Sequence, residues 1–350
     1  MRLKVALIVG DNHTPFCGVK NYAYSLAEAL AEREVSAHVV TASDWSAKAA
    51  FGFARQLRKE NYDIVHLQYP SIGYRGSLVP HFLGLMKVAD VSVVTVHEYS
   101  ALPRLQRMST HLFRGTARRV IFCSQYERSL YDRQMGNLGA PQTVIPIGSN
   151  VHAATTDGSR NTTVVYFGQI RPRKGIEQFI ELARTSLESQ RQFSFHIVGS
   201  APAAHQQYLR DLQQSSAGGI RWSIDLAFDD VSEIMAHAFA AYLPFPDGVS
   251  ERRGSMLAAL TNGLPVLSTI GEATPPEMLP LFLPTNNSDE ALCLLDELVA
   301  DPERHAGLCA ASRIYAAARY TWSAIAARHV LAYQEVLRVP QSERLSTQPQ

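Results

Sequence analysis

Short apolar runs rich in β-branched residues alternate along the chain with longer stretches whose apolar positions recur at helical spacing. That alternation predicts a parallel sheet flanked by helices. In the first half it places strands at 5–9, 36–41, 64–68, 91–96, 119–123 and 143–146, with helices at about 19–33, 47–60, 78–87, 104–116 and 125–135. The run His-Ala-Ala-Thr-Thr-Asp-Gly-Ser-Arg-Asn-Thr at 152–162 is polar and lacks apolar period, so it reads as an exposed connection between two compact units. Beyond it the rhythm restarts, with strands at 164–168, 194–199, 220–224, 240–244 and 265–268. Helices are expected at 176–189, 203–215, 231–238, 254–262, near 288–300 and over 302–336. The polar residues 340–350 read as a disordered tail. The fold class is thus α/β, with two doubly wound parallel-sheet domains facing a central cleft, where strand C-termini bind ligands.

Composition narrows this picture. A length of 350 residues suits two domains, and 46% hydrophobic residues against 19% charged excludes a disordered chain. The formal charge is only +1, which argues against a general nucleic-acid binder. The sum hides an asymmetry: residues 1–150 carry 17 Lys/Arg against 11 Asp/Glu, whereas 151–350 carry 16 against 21. Cys17, Cys123, Cys293 and Cys309 are scattered, so neither a zinc site nor a disulfide framework is expected, and a reducing cytoplasm fits. The apolar run at 5–9 is shorter than a signal-peptide core and no segment approaches the ~20 residues of a membrane span, so any membrane contact is expected to be peripheral.

Two loops carry candidate chemistry. Gly168-Gln-Ile-Arg-Pro-Arg-Lys-Gly175 follows a strand and opens a helix, placing Arg171, Arg173 and Lys174 at a helix N-terminus. Orphan N–H groups, the positive end of the helix dipole and three cations suit an anion, above all phosphate. Pro246-Asp-Gly-Val-Ser-Glu-Arg-Arg-Gly-Ser255 repeats the arrangement, with Arg252 and Arg253 beside Gly254 and Ser255. A diphosphate bridging both loops explains the duplication. The loop Gly10–Gly18 is neither a Gly-x-Gly-x-x-Gly fingerprint nor a Walker loop, which weakens nicotinamide and ATP readings. His97 ends one strand and would offer its side chain or carbonyl to the cleft; His66 and Gln68 end the preceding one and are read as substrate contacts.

In order along the chain, Gly18-Val19, Asp63-Ile-Val-His66, Val94-Thr-Val-His97, Val120-Ile-Phe-Cys-Ser124, Ile145-Pro-Ile-Gly148, Gly168–Gly175, His196-Ile-Val-Gly199, Asn262-Gly-Leu-Pro-Val266 and Tyr320-Thr-Trp-Ser323 form a specific series. The series resembles the retaining GT-B glycosyltransferases often called family 4, the glycosyl transferases of group 1. The resemblance implies a Rossmann-like acceptor-binding domain at 1–151, a Rossmann-like domain at 163–320 holding a nucleotide-sugar donor, a helix at 321–338 crossing back to the first domain, and no cofactor or required metal. It further implies that Lys174 and a basic partner such as Arg173 neutralise the diphosphate leaving group, that His97 contacts the donor sugar, and that Gly18 lies near donor and acceptor. Two departures stand out. Gln169 replaces the family's usual arginine, so Arg171 or Arg173 must supply that charge. The two donor-motif glutamates fall at Ser250 and Ala258, leaving Glu251, one residue away, as the candidate substitute for the first.

Between Tyr99 and Tyr126 lie Arg104, Arg107, Arg114, Arg118 and Arg119 and no acid, interleaved with Leu102, Leu105, Met108, Leu112 and Phe113. Residues 102–119 read either as a surface meeting anionic lipid or a polyprenyl-diphosphate acceptor, with Arg104 and Arg107 on the acceptor side, or as a solvated helix packing on the sheet. The expected function is hexosyl transfer from a nucleotide-diphosphate sugar to a glycan or lipid-linked glycan, in exopolysaccharide or envelope assembly at the inner face of the plasma membrane. The alternative is a catalytically silent GT-B protein that binds a nucleotide sugar or glycan and regulates a partner. An epimerase is disfavoured because its acid/base carboxylates find no positions here.

Overall fold

The computed structural model describes residues 2–11, 17–136, 139–155, 159–216 and 218–338. The expected tail at 340–350 therefore lies outside the described residues, as does part of the 152–162 run. The chain divides into one unit formed by 1–147 with 322–350 and a second formed by 148–321.

In the first unit the elements run β1 (Lys4–Gly10), α1 (Gly18–Ala31), β2 (Ser36–Ala42), α2 (Ala47–Lys59), β3 (Tyr62–Tyr69), β4 (Ala89–Val96), α3 (Arg104–Ser109), α4 (Phe113–Thr116), β5 (Arg119–Phe122), α5 (Gln125–Met135) and β6 (Gln142–Val144). Six parallel strands pair in the order β2-β1-β3-β4-β5-β6. Val5, Leu7 and Val9 face one core while Ala6 and Ile8 face the other, the period-two pattern of strands covered on both sides.

The second unit runs β7 (Thr163–Gln169), α6 (Ile176–Glu188), β8 (Ser194–Ser200), α7 (Gln206–Ser215), β9 (Ile220–Ile224), α8 (Phe228–His237), β10 (Ala240–Leu243), α9 (Gly254–Thr261), β11 (Val266–Ser268), β12 (Phe282–Pro284), α10 (Ser288–Ala300) and α11 (Pro302–Arg319). Its parallel strands pair as β12-β11-β10-β7-β8-β9. Arg160, from the polar run after the first unit, binds this unit firmly: its guanidinium donates to the carbonyls of Ala238 at 2.7 Å, Asn262 at 2.8 Å and Gly263 at 2.9 Å.

Three helical expectations are altered. Residues 79–86 form a 3-10 helix, with Pro80 at its start and Gly84 pressed against the Thr116 carbonyl, where any side chain would collide. The helix expected at 104–116 is interrupted by a 3-10 turn at Thr110–Leu112, where the Ser109 and Thr110 hydroxyls donate to the carbonyls of Gln106 and Arg107 and compete with helical bonding. The run expected over 302–336 breaks at Tyr320, and the final helix, α12 (Trp322–Arg338), belongs to the first unit.

There α12 completes a core face: Ile325, Ala326, Ala332, Tyr333 and Val336 pack with Leu7, Leu26, Ile64 and Val93. Polar groups fix its register. His66 bonds Tyr333 Oη through Nδ1 and Thr95 Oγ1 through Nε2, both at 2.7 Å. His329 lies 3.3 Å from Tyr22 Oη and 2.9 Å from the Ile325 carbonyl. Arg119, buried, donates to Glu335 at 2.6 Å and also to Thr143.

Burial holds His97 neutral, with a pKa lowered to about 3, and His329 lowered to about 4; burial likewise pushes His66 well below the usual imidazole range. An unfolded histidine titrates near ~6.5. Between those values the unfolded chain binds more protons, so the stability these residues contribute is complete above about pH 6.5 and is lost as pH falls. We expect Tm to drop steeply from pH 6.5 to 4 and the slope to flatten in His329→Gln; melting curves followed by circular dichroism read both, and a level Tm would sink the account.

Candidate functional site

In the second unit β7 and β10 are neighbours, yet β7 leads through α6 to β8 on one side and β10 through α9 to β11 on the other. Connections that depart in opposite directions leave a crevice at the strand C-termini, the usual ligand position in such sheets. Both candidate basic loops begin there.

The first loop is shaped by backbone geometry. Ile170 is buried and donates its N–H to the Ser200 carbonyl at 2.8 Å, ending the strand. Arg173 and Gly175 then take positive φ, 64° and 81°. Gly175 sits so close to the Pro244 carbonyl that a Cβ would collide with it, which places the two loops side by side. Tyr166 Oη holds the Lys174 carbonyl at 3.0 Å. Gly175 is the N-cap of α6 and supplies no side-chain cap, so the first N–H groups of the helix keep their capacity for an anion. Arg173 is exposed, Lys174 half-buried, and Arg171 half-buried with Nε on Gln169 at 3.2 Å.

The second loop is sewn to residues 269–274. Val249 donates to the Thr269 carbonyl at 3.0 Å, Thr274 Oγ1 donates to the Val249 carbonyl at 2.7 Å, and the Thr269 hydroxyl donates to the Phe245 carbonyl. Gly248, at φ 83°, permits the close approach to Gly271. The Arg253 guanidinium stacks 4.6 Å from the Phe245 ring centre and pairs with Asp247. Its charge therefore helps hold the loop. Arg252 and Ser255 are half-buried, Gly254 is exposed at the start of α9, and this helix also lacks a side-chain cap. Ser250 is buried, and the Glu251 carboxylate, in a residue 5% exposed, accepts from Tyr320 Oη at 3.1 Å.

The first unit treats its strand ends differently. Its winding reverses between β1 and β3, and Gly10 packs against Gly73 and Tyr74. Gly18 begins α1 behind Cys17, whereas 12–16 of the expected glycine loop lie outside the described residues. His97 is turned inward: Nε2 meets Gln68 Oε1 at 3.0 Å, Nδ1 meets Cys123 Sγ at 3.5 Å, and the ring stands edge-on to Tyr22 at 4.7 Å. His66 is corrected from a substrate contact to a core residue, since it is fully buried and both nitrogens are bonded inside the unit. Gln68 is likewise fully buried, carrying the His97 bond.

Nor do the five arginines of the basic stretch form one surface. Arg107 donates to the carbonyls of Leu102 at 2.8 Å and Ser100 at 3.2 Å, pinning its own loop, and Arg119 anchors α12. Arg104 and Arg114 are exposed. The apolar residues beside them are more exposed than the alternation suggests, Leu105 at 80% and Met108 at 55%. Sequence reasoning missed Tyr320 as a neighbour of Glu251; the one available signal was a tyrosine in the break before the last helix.

The family described as Glycosyl transferases group 1 matches residues 161–299. No curated protein matches the chain. Among solved structures, Alr3699/HepE from Anabaena, in complex with UDP, has a TM-score of 0.73 at 16% identity, covering 95% of this chain and 100% of that one. A glycosyltransferase from Rickettsia africae ESF-5 has a TM-score of 0.72 at 13% identity, covering 97% and 100%. AviGT4, a glycosyltransferase involved in avilamycin A biosynthesis, has a TM-score of 0.60 at 18% identity, covering 96% and 98%. Two parallel six-stranded sheets flanked by helices agree with these neighbours in architecture. Residues 161–299 therefore match the Glycosyl transferases group 1 family, in a chain that has the GT-B fold.

Proposed function

We propose that the protein is a retaining, metal-independent glycosyltransferase that takes a hexose from a nucleotide-diphosphate sugar and passes it to a glycan or polyprenyl-diphosphate-linked glycan in exopolysaccharide or envelope assembly. The observation carrying the proposal is the pair of uncapped helix starts, α6 and α9, that meet at the β7/β10 reversal with Arg171, Arg173, Lys174 and Arg252 around them. As the bond between the sugar's anomeric carbon and the β-phosphate oxygen breaks, its electron pair passes to that oxygen. Cations and N–H dipoles already in place stabilise this growing charge without reorganising. The leaving phosphate takes the acceptor hydroxyl's proton as that oxygen bonds the same face of the sugar, so no protein base is required. UDP bound to the Anabaena neighbour makes uridine diphosphate sugars the first donors to try.

A second reading, a silent binder, is favoured by Ser250 and Ala258, both buried, at the positions of the family's two carboxylates. Thermal shift against a nucleotide-sugar panel, followed by donor turnover with the hit, separates the two. We expect turnover that persists in EDTA and falls about a hundredfold or more in kcat/KM for Lys174→Ala. Binding without turnover across glycan and lipid-linked acceptors would favour the silent protein.

No helix among the described residues is long and apolar enough to cross a membrane. Exposed Leu105, Met108 and Leu112 beside Arg104 and Arg114 support peripheral docking on anionic lipid instead. The protein should float with phosphatidylserine-containing vesicles at low salt, and Leu105→Asp with Met108→Asp should abolish flotation; failure of the parent protein to float removes the membrane contact from the proposal.

A further inference from the structure

Glu251 lies in the second basic loop, yet its carboxylate is buried beside a phenol rather than offered at the surface. Burying a carboxylate is unfavourable unless donors replace water, so its partner matters. That partner is held unusually well. Tyr320 is fully buried and caps α11, its N–H donating to the Ala316 carbonyl at 2.8 Å while its own carbonyl accepts from Ser149 at 2.8 Å. Its ring stands 5.9 Å from Tyr315, and its hydroxyl also lies 3.5 Å from Met278 Sδ. Burial first, then the Glu251 charge, raise the phenol's pKa far above its ordinary value, so it remains a proton donor.

On the loop side, Val249 is bonded to Thr269 and Thr274, and α9 starts at Gly254. Residues 250–253 bridge that interval, with a turn closed by the Arg253 N–H on the Ser250 carbonyl at 3.0 Å. The Glu251 side chain leaves this turn inward and Arg252 follows directly.

We infer that Tyr320 is a positioning residue: through its hydroxyl on Glu251 it fixes the 250–253 turn, and thereby sets Arg252 and the first N–H groups of α9 for a nucleoside diphosphate. Glu251 is then the loop's internal anchor rather than a ligand of the donor sugar. The inference rests on reading the β7/β10 crevice as the donor site.

Tyr320→Phe removes one oxygen and keeps the ring, and Glu251→Gln keeps shape while removing charge. With UDP as the probe, each should weaken binding about tenfold, the scale of one hydrogen bond to a charged group. Donor KM should rise in parallel and kcat should fall alike in both variants by no more than a similar factor, because the misaligned groups also face the charge that grows on the leaving phosphate. The double variant should be no weaker than the weaker single, and hydrogen exchange in a 246–256 peptide should rise alike in both. Glu251→Gln lowering kcat a hundredfold while Tyr320→Phe is silent would overturn the inference, since the carboxylate would then touch the sugar. So would a lower Tm in Tyr320→Phe with unchanged UDP binding and unchanged exchange. Wild-type protein that binds no nucleoside diphosphate would overturn the donor-site reading instead, and the exchange measurement would still decide whether Tyr320 holds the turn.

Discussion

The second unit depends on a reversal in its winding. A parallel sheet covered on both faces has no room for ligand within its layers, and only where successive connections leave toward opposite sides does the strand edge open. Between β7 and β10 that opening is lined by two helix starts whose N–H groups have no side-chain caps. Bringing two positive helix ends together is unfavourable for an empty site and favourable for one holding an anion. The local sequence is bent to this arrangement: Gly175 accepts positive φ so that its loop can lie on the Pro244 carbonyl, and Gly248 does the same against Gly271. Even Arg253, nominally one more cation, has its charge offset by Asp247 and its plane laid on Phe245, so it stiffens the loop more than it charges it.

The first unit has a similar reversal and resolves it with side chains. His97 bonds both Gln68 and Cys123 at the ends of their strands, and Tyr22 covers the imidazole. The same layer continues through His329, His66 and Tyr333 into α12. These groups are expensive to bury unless each finds a partner, and several partners sit on the last helix. The first unit is therefore complete only when the far end of the chain returns to it. Arg119 makes the point with charge, since its buried guanidinium needs Glu335 on α12.

The strands were legible because buried parallel strands are continuous β-branched runs, and both basic loops were legible because cations and glycines cluster at helix starts. What failed has physical causes. Ser109 and Thr110 look helical by spacing but bond backward to the preceding carbonyls, and β12 is three residues ending in proline, too short for any periodicity. His66 at a strand end looks like a ligand until its partner, Tyr333, is seen to come from the other end of the chain. Spacing reports which face a residue takes on its own element; it carries no information about a partner hundreds of residues away.

The departures from the family's donor motif acquire a physical sense from the same geometry. Ala258 lies on the buried face of α9 and Ser250 in the closed turn, so neither position presents charge. Under the proposed reading, carboxylates at these two positions would stand near a diphosphate and oppose it. Their absence, with Glu251 drawn inward onto Tyr320 and Asp247 spent on Arg253, leaves the crevice edge with cations and helix N-termini as its main recognition elements. Such a site draws its affinity from the diphosphate and discriminates weakly among ribose-linked bases, because directional contacts specify and diffuse positive potential attracts. Selectivity must then arise in the shape of the turn that presents the cations, which is why a phenol outside the loop can matter to a ligand it never meets.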